Sequence, residues 1–271
     1  MPLEPDLSDL TGTVAHVTAA GAGIGRGIAR RLAADGASVV VSDVDEEWGP
    51  GTVELIASTG GTGAFVRADA TLERDLRDAL AFTEEQFGGL DVLVNNAGGA
   101  PPPYFPETDP DQLLWRIALN LHSAMLATYH AIAAMKRRRG GSILNVSSRA
   151  GIGFAPHRSP EYAASKAALC RFTATLAPLA DEAGIRVNCI CPDWVETERI
   201  REERLAMGEK GWSKHGPAEL VSVEDIADAS IHLVRDERLA GRTLLCPHDG
   251  PWGLVRVDDE PRIEPVDWLG R

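Results

Sequence analysis

Two side chains in this 271-residue sequence stand at a spacing that suits proton transfer. Tyr162 and Lys166 bracket Tyr162-Ala163-Ala164-Ser165-Lys166, so a helix sets both on one face. A phenol with a pKa near ~10 is a poor base at neutral pH. A nearby ammonium favours phenolate and lowers that value. Lowering it by two or three decades asks for about 3–4 kcal/mol, which a partly desolvated cation can supply. Of the 27 basic residues only four are Lys, so a Lys in this position carries weight. The pair fits proton exchange at an alcohol or carbonyl oxygen. Upstream, Asn145-Val146-Ser147-Ser148 brings two hydroxyls for the same oxygen.

A second group of residues suits a phosphate. Thr18-Ala19-Ala20-Gly21-Ala22-Gly23-Ile24-Gly25 lies between a strand pattern and a helix pattern. Glycines let such a turn approach a ligand closely, and the helix N-terminus offers free N–H groups and a positive dipole end. A diphosphate is the expected guest. The second strand ends at Asp43, 18 residues beyond Gly25, near the ~20 expected of a carboxylate that takes a ribose 2′-hydroxyl. No Arg or Lys follows in Val44-Asp45-Glu46-Glu47, and none lies between Thr18 and Gly25. A 2′-phosphate would be repelled there, so NAD is expected over NADP.

These groups need rigid elements to hold them. Apolar runs at 14–18, 38–42, 64–67, 91–95, 142–147, 186–190 and 243–246 read as strands, nearly continuous in Val, Ile and Leu, as strands buried on both faces are. Helical stretches at 24–35, 46–58, 71–87, 110–139, 162–183 and 223–235 alternate with them. Thr71 and Ser222 read as N-caps, and Gly88-Gly89 as a helix end. The alternation predicts an α/β fold, a doubly wound parallel sheet of about seven strands in a three-layer sandwich. One domain spans 1–271. Arg137-Arg138-Arg139 closes a helix and complements its dipole. His16 reads as a core residue. Cys170, Cys189, Cys191 and Cys246 show no metal-ligand spacing and read as small buried hydrophobes; no metal is expected.

With these residues in view, the chain resembles the short-chain dehydrogenase/reductase family from about residue 10 to 250. Thr18, Gly23 and Gly25 fall in step with the family's TGxxxGxG loop, with Ala19 in place of its first Gly. Asn95-Asn96-Ala97-Gly98 matches its NNAG segment, Asp69 beside Ala70 its adenine-binding Asp, Asn120 its helix-four Asn, and Ser148 its strand-five Ser. Tyr162 and Lys166 match its YxxxK pair. Pro192-Asp193-Trp194-Val195-Glu196-Thr197 resembles its PGxVxT, with Asp193 in place of Gly. The resemblance implies a Rossmann-like fold and a nicotinamide cofactor held by Thr18, Gly21, Gly23, Ile24, Gly25, Asp43, Asp69, Ala70, Asn96, Ala97, Gly98, Tyr162, Lys166, Pro192, Val195 and Thr197. It also implies roles: Tyr162 as acid/base, Lys166 lowering its pKa and bonding the nicotinamide ribose, Ser148 orienting the substrate oxygen, and Asn120 holding a water in a proton relay.

The expected activity is NAD-dependent exchange of a hydride with a secondary alcohol or its ketone. An NADPH-dependent ketone or acyl-thioester reductase is the alternative. A dinucleotide-sensing regulatory protein is another, though it has no need of Asn, Ser, Tyr and Lys together. Substrate walls are expected from 99–104, 149–161, Trp194 and a lid at 198–216, with Arg149 and His157 available to a carboxylate or hydroxyl and Met207 and Trp212 on an apolar lid face. Asp193 could reshape the pocket, bond the carboxamide or select a polar or cationic substrate. A formal charge of −13 argues against nucleic acid and against an anionic membrane surface. The N-terminal stretch lacks an apolar core, so a cytoplasmic location is expected. A homotetramer is implied by the resemblance. The tail at 255–271, including Trp268 and Leu269, is expected either to pack across a partner subunit or to lie disordered.

Overall fold

The computed structural model describes residues 9–255; the expectations for Trp268 and Leu269 fall outside them. Strands β1 (Val14–Thr18), β2 (Ser38–Asp43), β3 (Thr62–Arg67), β4 (Val92–Asn95), β5 (Gly141–Val146), β6 (Ile185–Pro192) and β7 (Thr243–Cys246) pair in parallel in the order β3-β2-β1-β4-β5-β6-β7. A two-residue strand β8 (Gly253–Leu254) adds one antiparallel edge, so the sheet has eight strands where about seven were expected. The registers are continuous: Val17 lies beside Val41 and Val94. Val39, Val40 and Val41 are wholly buried, as expected of strands covered on both faces.

Helices α1 (Gly23–Ala34), α2 (Trp48–Ser58), α3 (Glu73–Phe87), α4 (Pro110–Ile117), α5 (Ser123–Arg138), α6 (Pro160–Thr175), α7 (Leu179–Ala183), α8 (Glu198–Trp212) and α9 (Val223–Arg235) cover the two faces. One core cluster joins α1 and α9 to the sheet through Ile28, Leu32, Ile226 and Leu233. The other joins α3 and α5 through Leu76, Leu80, Ala131 and Met135. Strand order reverses between β1 and β4, and the crevice beyond their C-terminal ends is where such sheets receive ligands.

The sequence reading needs several local corrections. The helix expected over 110–139 is α4 and α5 joined by a π-turn over Ala118–His122. The helix expected over 162–183 breaks before α7, where Pro178 cannot supply a backbone N–H. Thr71 is not an N-cap: Leu72 holds that position, while the Thr71 hydroxyl donates to Asp69 at 2.7 Å. Ser222 does cap α9, accepting from Asp225 N at 3.0 Å, and Gly88 ends α3 at φ +84°. Arg137 and Arg138 pair with Glu84 and Asp91. His16 is buried between Thr83 and Ser42.

Candidate active site

The loop after β1 is tied to the segment after β4. Asn96 Nδ2 donates to the carbonyls of Thr18 and Ala19 at 3.0 and 2.9 Å. The Thr18 hydroxyl accepts from the backbone N–H groups of Asn96 and Ala97. These side chains are struts that hold the two strand ends together. Gly25 sits against this joint: a Cβ there would lie 2.4 Å from Asn96 Nδ2 and 2.5 Å from the Ala19 carbonyl oxygen. Ala19 adopts φ +49°, the left-handed region that a Gly would occupy without strain.

The residues present fit a dinucleotide. An oxyanion already caps α1: Glu198 Oε2 accepts from Gly23 N at 3.0 Å, and its Oε1 pairs with Arg26 Nη1 at 2.9 Å. That is the position and charge expected of a diphosphate. Ala97, Ala70 and Val195 are buried at the strand ends, Ile24 and Pro192 face the crevice, and the Thr197 methyl packs over Gly23. Asp43, at the end of β2, accepts from Gly21 N at 2.8 Å and from Asp45 N at 3.1 Å. Asp69 lies two residues beyond β3 with its carboxylate turned to Thr71.

The proton-transfer candidates come together from three elements. α6 carries Tyr162 and Lys166, β5 leads into Ser148, and the π-turn presents Asn120. The Ser148 hydroxyl lies beside the Tyr162 side chain, close enough to draw its pKa down, and accepts from Ala150 N at 3.2 Å. Ser147 points elsewhere: its Oγ donates to the Lys166 carbonyl at 2.7 Å, so Ser148 alone of the two faces Tyr162. Lys166 is 3% exposed and its ammonium donates to the Val146 carbonyl at 2.8 Å. Asn120 accepts from Gly99 N and donates to Gly99 O, both at 2.8 Å, and also donates to Arg116 O at 2.9 Å. Gly98 separates the two: a Cβ on it would lie 2.8 Å from Asn120 Oδ1 and 2.9 Å from Lys166 Nζ.

Electrostatics depart from the sequence expectation. Loss of solvent raises the Tyr162 pKa above its ordinary value, while the Ser148 hydrogen bond and the Arg199 charge draw it down. The Lys166 ammonium lies 5.7 Å from the Tyr162 ring centroid and donates to the Val146 carbonyl rather than to the phenol. Burial instead lowers Lys166 itself to about 8. The interaction expected from the four-residue spacing goes to a backbone carbonyl.

Tyr162 and Ser148 open on a cavity of about 690 Å³. Ala100, Tyr104, His157, Trp194 and residues of α8 line it, as expected for a substrate site. Met207 and Trp212 do not. Trp212 is 3% exposed, packs edge-on to Trp194 and donates to Pro217 O. Arg149 is already engaged, with Nη1 2.6 Å from Asp193 and 2.7 Å from Asp249. Asp193 also bonds His248 Nδ1, so it ties three wall segments together. His157 stacks on the Tyr162 ring at 5.5 Å.

Sequence reasoning missed Arg116. This residue of α4 is 2% exposed and pairs with Glu161 at 2.6 Å, the residue beside Tyr162. Its other nitrogen donates to the carbonyls of Pro101 and Pro103. It thereby anchors the substrate loop to the first turn of α6. An Arg among apolar neighbours in an amphipathic helix was the available signal.

Comparison with known proteins follows this geometry. The family described as short chain dehydrogenase matches residues 13–207. An uncharacterized oxidoreductase of Thermotoga maritima is 42% identical over 189 residues, 70% of this chain and 74% of that protein. The 2,5-dichloro-2,5-cyclohexadiene-1,4-diol dehydrogenase of Sphingobium indicum is 32% identical over 90% of this chain and 98% of its own. The crystal structure of a hydroxysteroid dehydrogenase from Escherichia coli superposes with a TM-score of 0.79 at 30% identity, covering 91% of this chain and 100% of that one.

Proposed function

Since this chain belongs to the short-chain dehydrogenase family and is an NAD(P)-dependent oxidoreductase acting on CH–OH groups, we propose that it oxidises a secondary alcohol to the ketone with NAD. The observation that carries this reading is the Ser148–Tyr162 hydroxyl pair facing a cavity of about 690 Å³, with Lys166 and Asn120 gathered behind it around Gly98. When bound, the nicotinamide supplies hydride acceptance at carbon. The protein handles the proton. Ser148 holds the alcohol oxygen, and Tyr162 takes its proton as hydride leaves the carbinol carbon. Lys166 would hold the nicotinamide ribose, and its buried ammonium favours phenolate over the neutral phenol. Asn120, fixed by three backbone bonds, holds a water that returns the proton to solvent.

NAD is supported by Asp43, whose carboxylate is anchored beside the loop and would oppose a 2′-phosphate. Assembly from copies of this chain is supported by Leu114, Trp115, Ile117, Met125 and Tyr129, apolar residues exposed along α4 and α5. None of the helices among the described residues is long and apolar enough to cross a membrane.

Tyr162→Phe tests the reading. NADH affinity, followed by fluorescence, stays within about twofold. Turnover of a secondary alcohol falls at least about a hundredfold, the lower range for loss of a general acid/base. Unchanged turnover removes Tyr162 from the chemistry. Tighter binding of NADPH than NADH supports the reductase alternative. NADH binding with no turnover of any alcohol or ketone supports a sensing role.

A further inference from the structure

The charges lining the cavity are not those of the protein as a whole. The chain carries −13 overall, which repels anions at long range. Yet among the described residues the cavity wall holds Arg149, Arg158, Arg199 and Lys214 against three carboxylates, Asp193, Glu203 and Asp249. Each of those carboxylates already has a partner within the protein. Asp193 and Asp249 share Arg149, and Glu203 pairs with His215 at 3.1 Å. Arg158 lies over the Tyr104 ring and bonds His215 Nδ1 at 3.0 Å. Among the described residues, Arg199 and Lys214 have no carboxylate partner. Arg199 is in the first turn of α8 and lines the cavity, and its charge acts on Tyr162.

On the dehydrogenase reading above, we infer that the substrate is a hydroxy acid, a secondary alcohol bearing a carboxylate, and that Arg199 binds that carboxylate while Tyr162 and Ser148 hold the alcohol. The guanidinium offers two parallel N–H donors that match a planar carboxylate. The acidic wall residues do not compete for it, because Arg149 and His215 already engage them. Arg149, the sequence candidate for this duty, is unavailable for the same reason.

The test compares lactate, 3-hydroxybutyrate and 4-hydroxypentanoate with their methyl esters, using NAD and the intact enzyme. The inference expects kcat/KM for at least one acid to exceed that of its ester by roughly tenfold to a hundredfold, the range for a charge-assisted hydrogen bond. In Arg199→Gln that preference collapses towards unity, chiefly through KM. Arg171→Gln, which removes an equal charge from the exposed surface of α6, leaves the preference in place. Rising salt weakens the preference in the wild type and not in Arg199→Gln. Esters matching or exceeding acids in the wild type overturn the inference, and so does an acid preference that survives Arg199→Gln. If simple secondary alcohols are oxidised and the acids are not, the inference falls and the dehydrogenase reading stands. If no alcohol is oxidised at all, both fall.

Discussion

Lys166 is buried with its charge satisfied by a single carbonyl, and this has a measurable cost. Burial lowers its pKa from 10.5 to about 8. At about 1.4 kcal/mol per tenfold change in proton affinity, holding the ammonium in the folded protein costs about 3 kcal/mol relative to the unfolded chain. The direction in pH follows. Below pH 8 both states carry the proton and the full penalty applies. Between 8 and 10.5 the folded state has released the proton and the unfolded state has not, so stability rises with pH. Above 10.5 both are neutral and the penalty is gone. Other groups titrate in this range, so the useful quantity is wild-type stability minus that of Lys166→Met. Unfolding by urea, read by tryptophan fluorescence from pH 7.5 to 10, shows that difference climbing by about 2 kcal/mol. Thermal midpoints move correspondingly, by about 2–4 °C for each kcal/mol in a chain of this size. A difference flat in pH refutes the buried-ammonium account, and with it the idea that Lys166 waits in the protein as a desolvated cation.

Three further outcomes follow from single contacts. Ala19→Gly relieves left-handed strain worth about 1–2 kcal/mol and adds freedom to the unfolded chain, for a net gain of about 0.5–1 kcal/mol by urea unfolding; a loss of stability overturns the strain argument. Gly25→Ala forces a Cβ against a backbone carbonyl, so NADH affinity by fluorescence titration falls at least about tenfold, and unchanged affinity would show a loop that yields freely. Glu161→Gln leaves the buried Arg116 charge without its partner and costs about 3–5 kcal/mol of stability. Adding Arg116→Met restores most of that loss, and failure of the double variant to recover would place the damage elsewhere.

Much of the fold was legible because it rests on local patterns. Runs such as Val39-Val40-Val41 mark strands covered on both faces, and glycine-punctuated joins mark where each strand turns into a helix. The break at Asn120 was not legible, because helical periodicity runs through 111–139 without a Pro or Gly. The π-turn is held by the reach of the Asn120 side chain to Gly99, a contact between residues 21 apart in sequence. Thr71 failed as a cap for a related reason: Asp69 took its hydroxyl first.

Residue type and spacing determined that Tyr162 and Lys166 share a helix face, that a phosphate-sized cradle follows β1 and that a carboxylate ends β2. Each of these depends on neighbours within a few residues or on helix geometry alone. Tertiary structure decided what those groups actually meet. It turned the Lys166 ammonium to Val146, chose Ser148 over Ser147 as the neighbour of Tyr162, and bound Arg149 between two acids while giving Arg199 none among the described residues. The reason is physical. Hydrogen bonds and charges in a closed site are settled by competition among all groups within a few ångströms, and those groups come from strands and loops far apart along the chain.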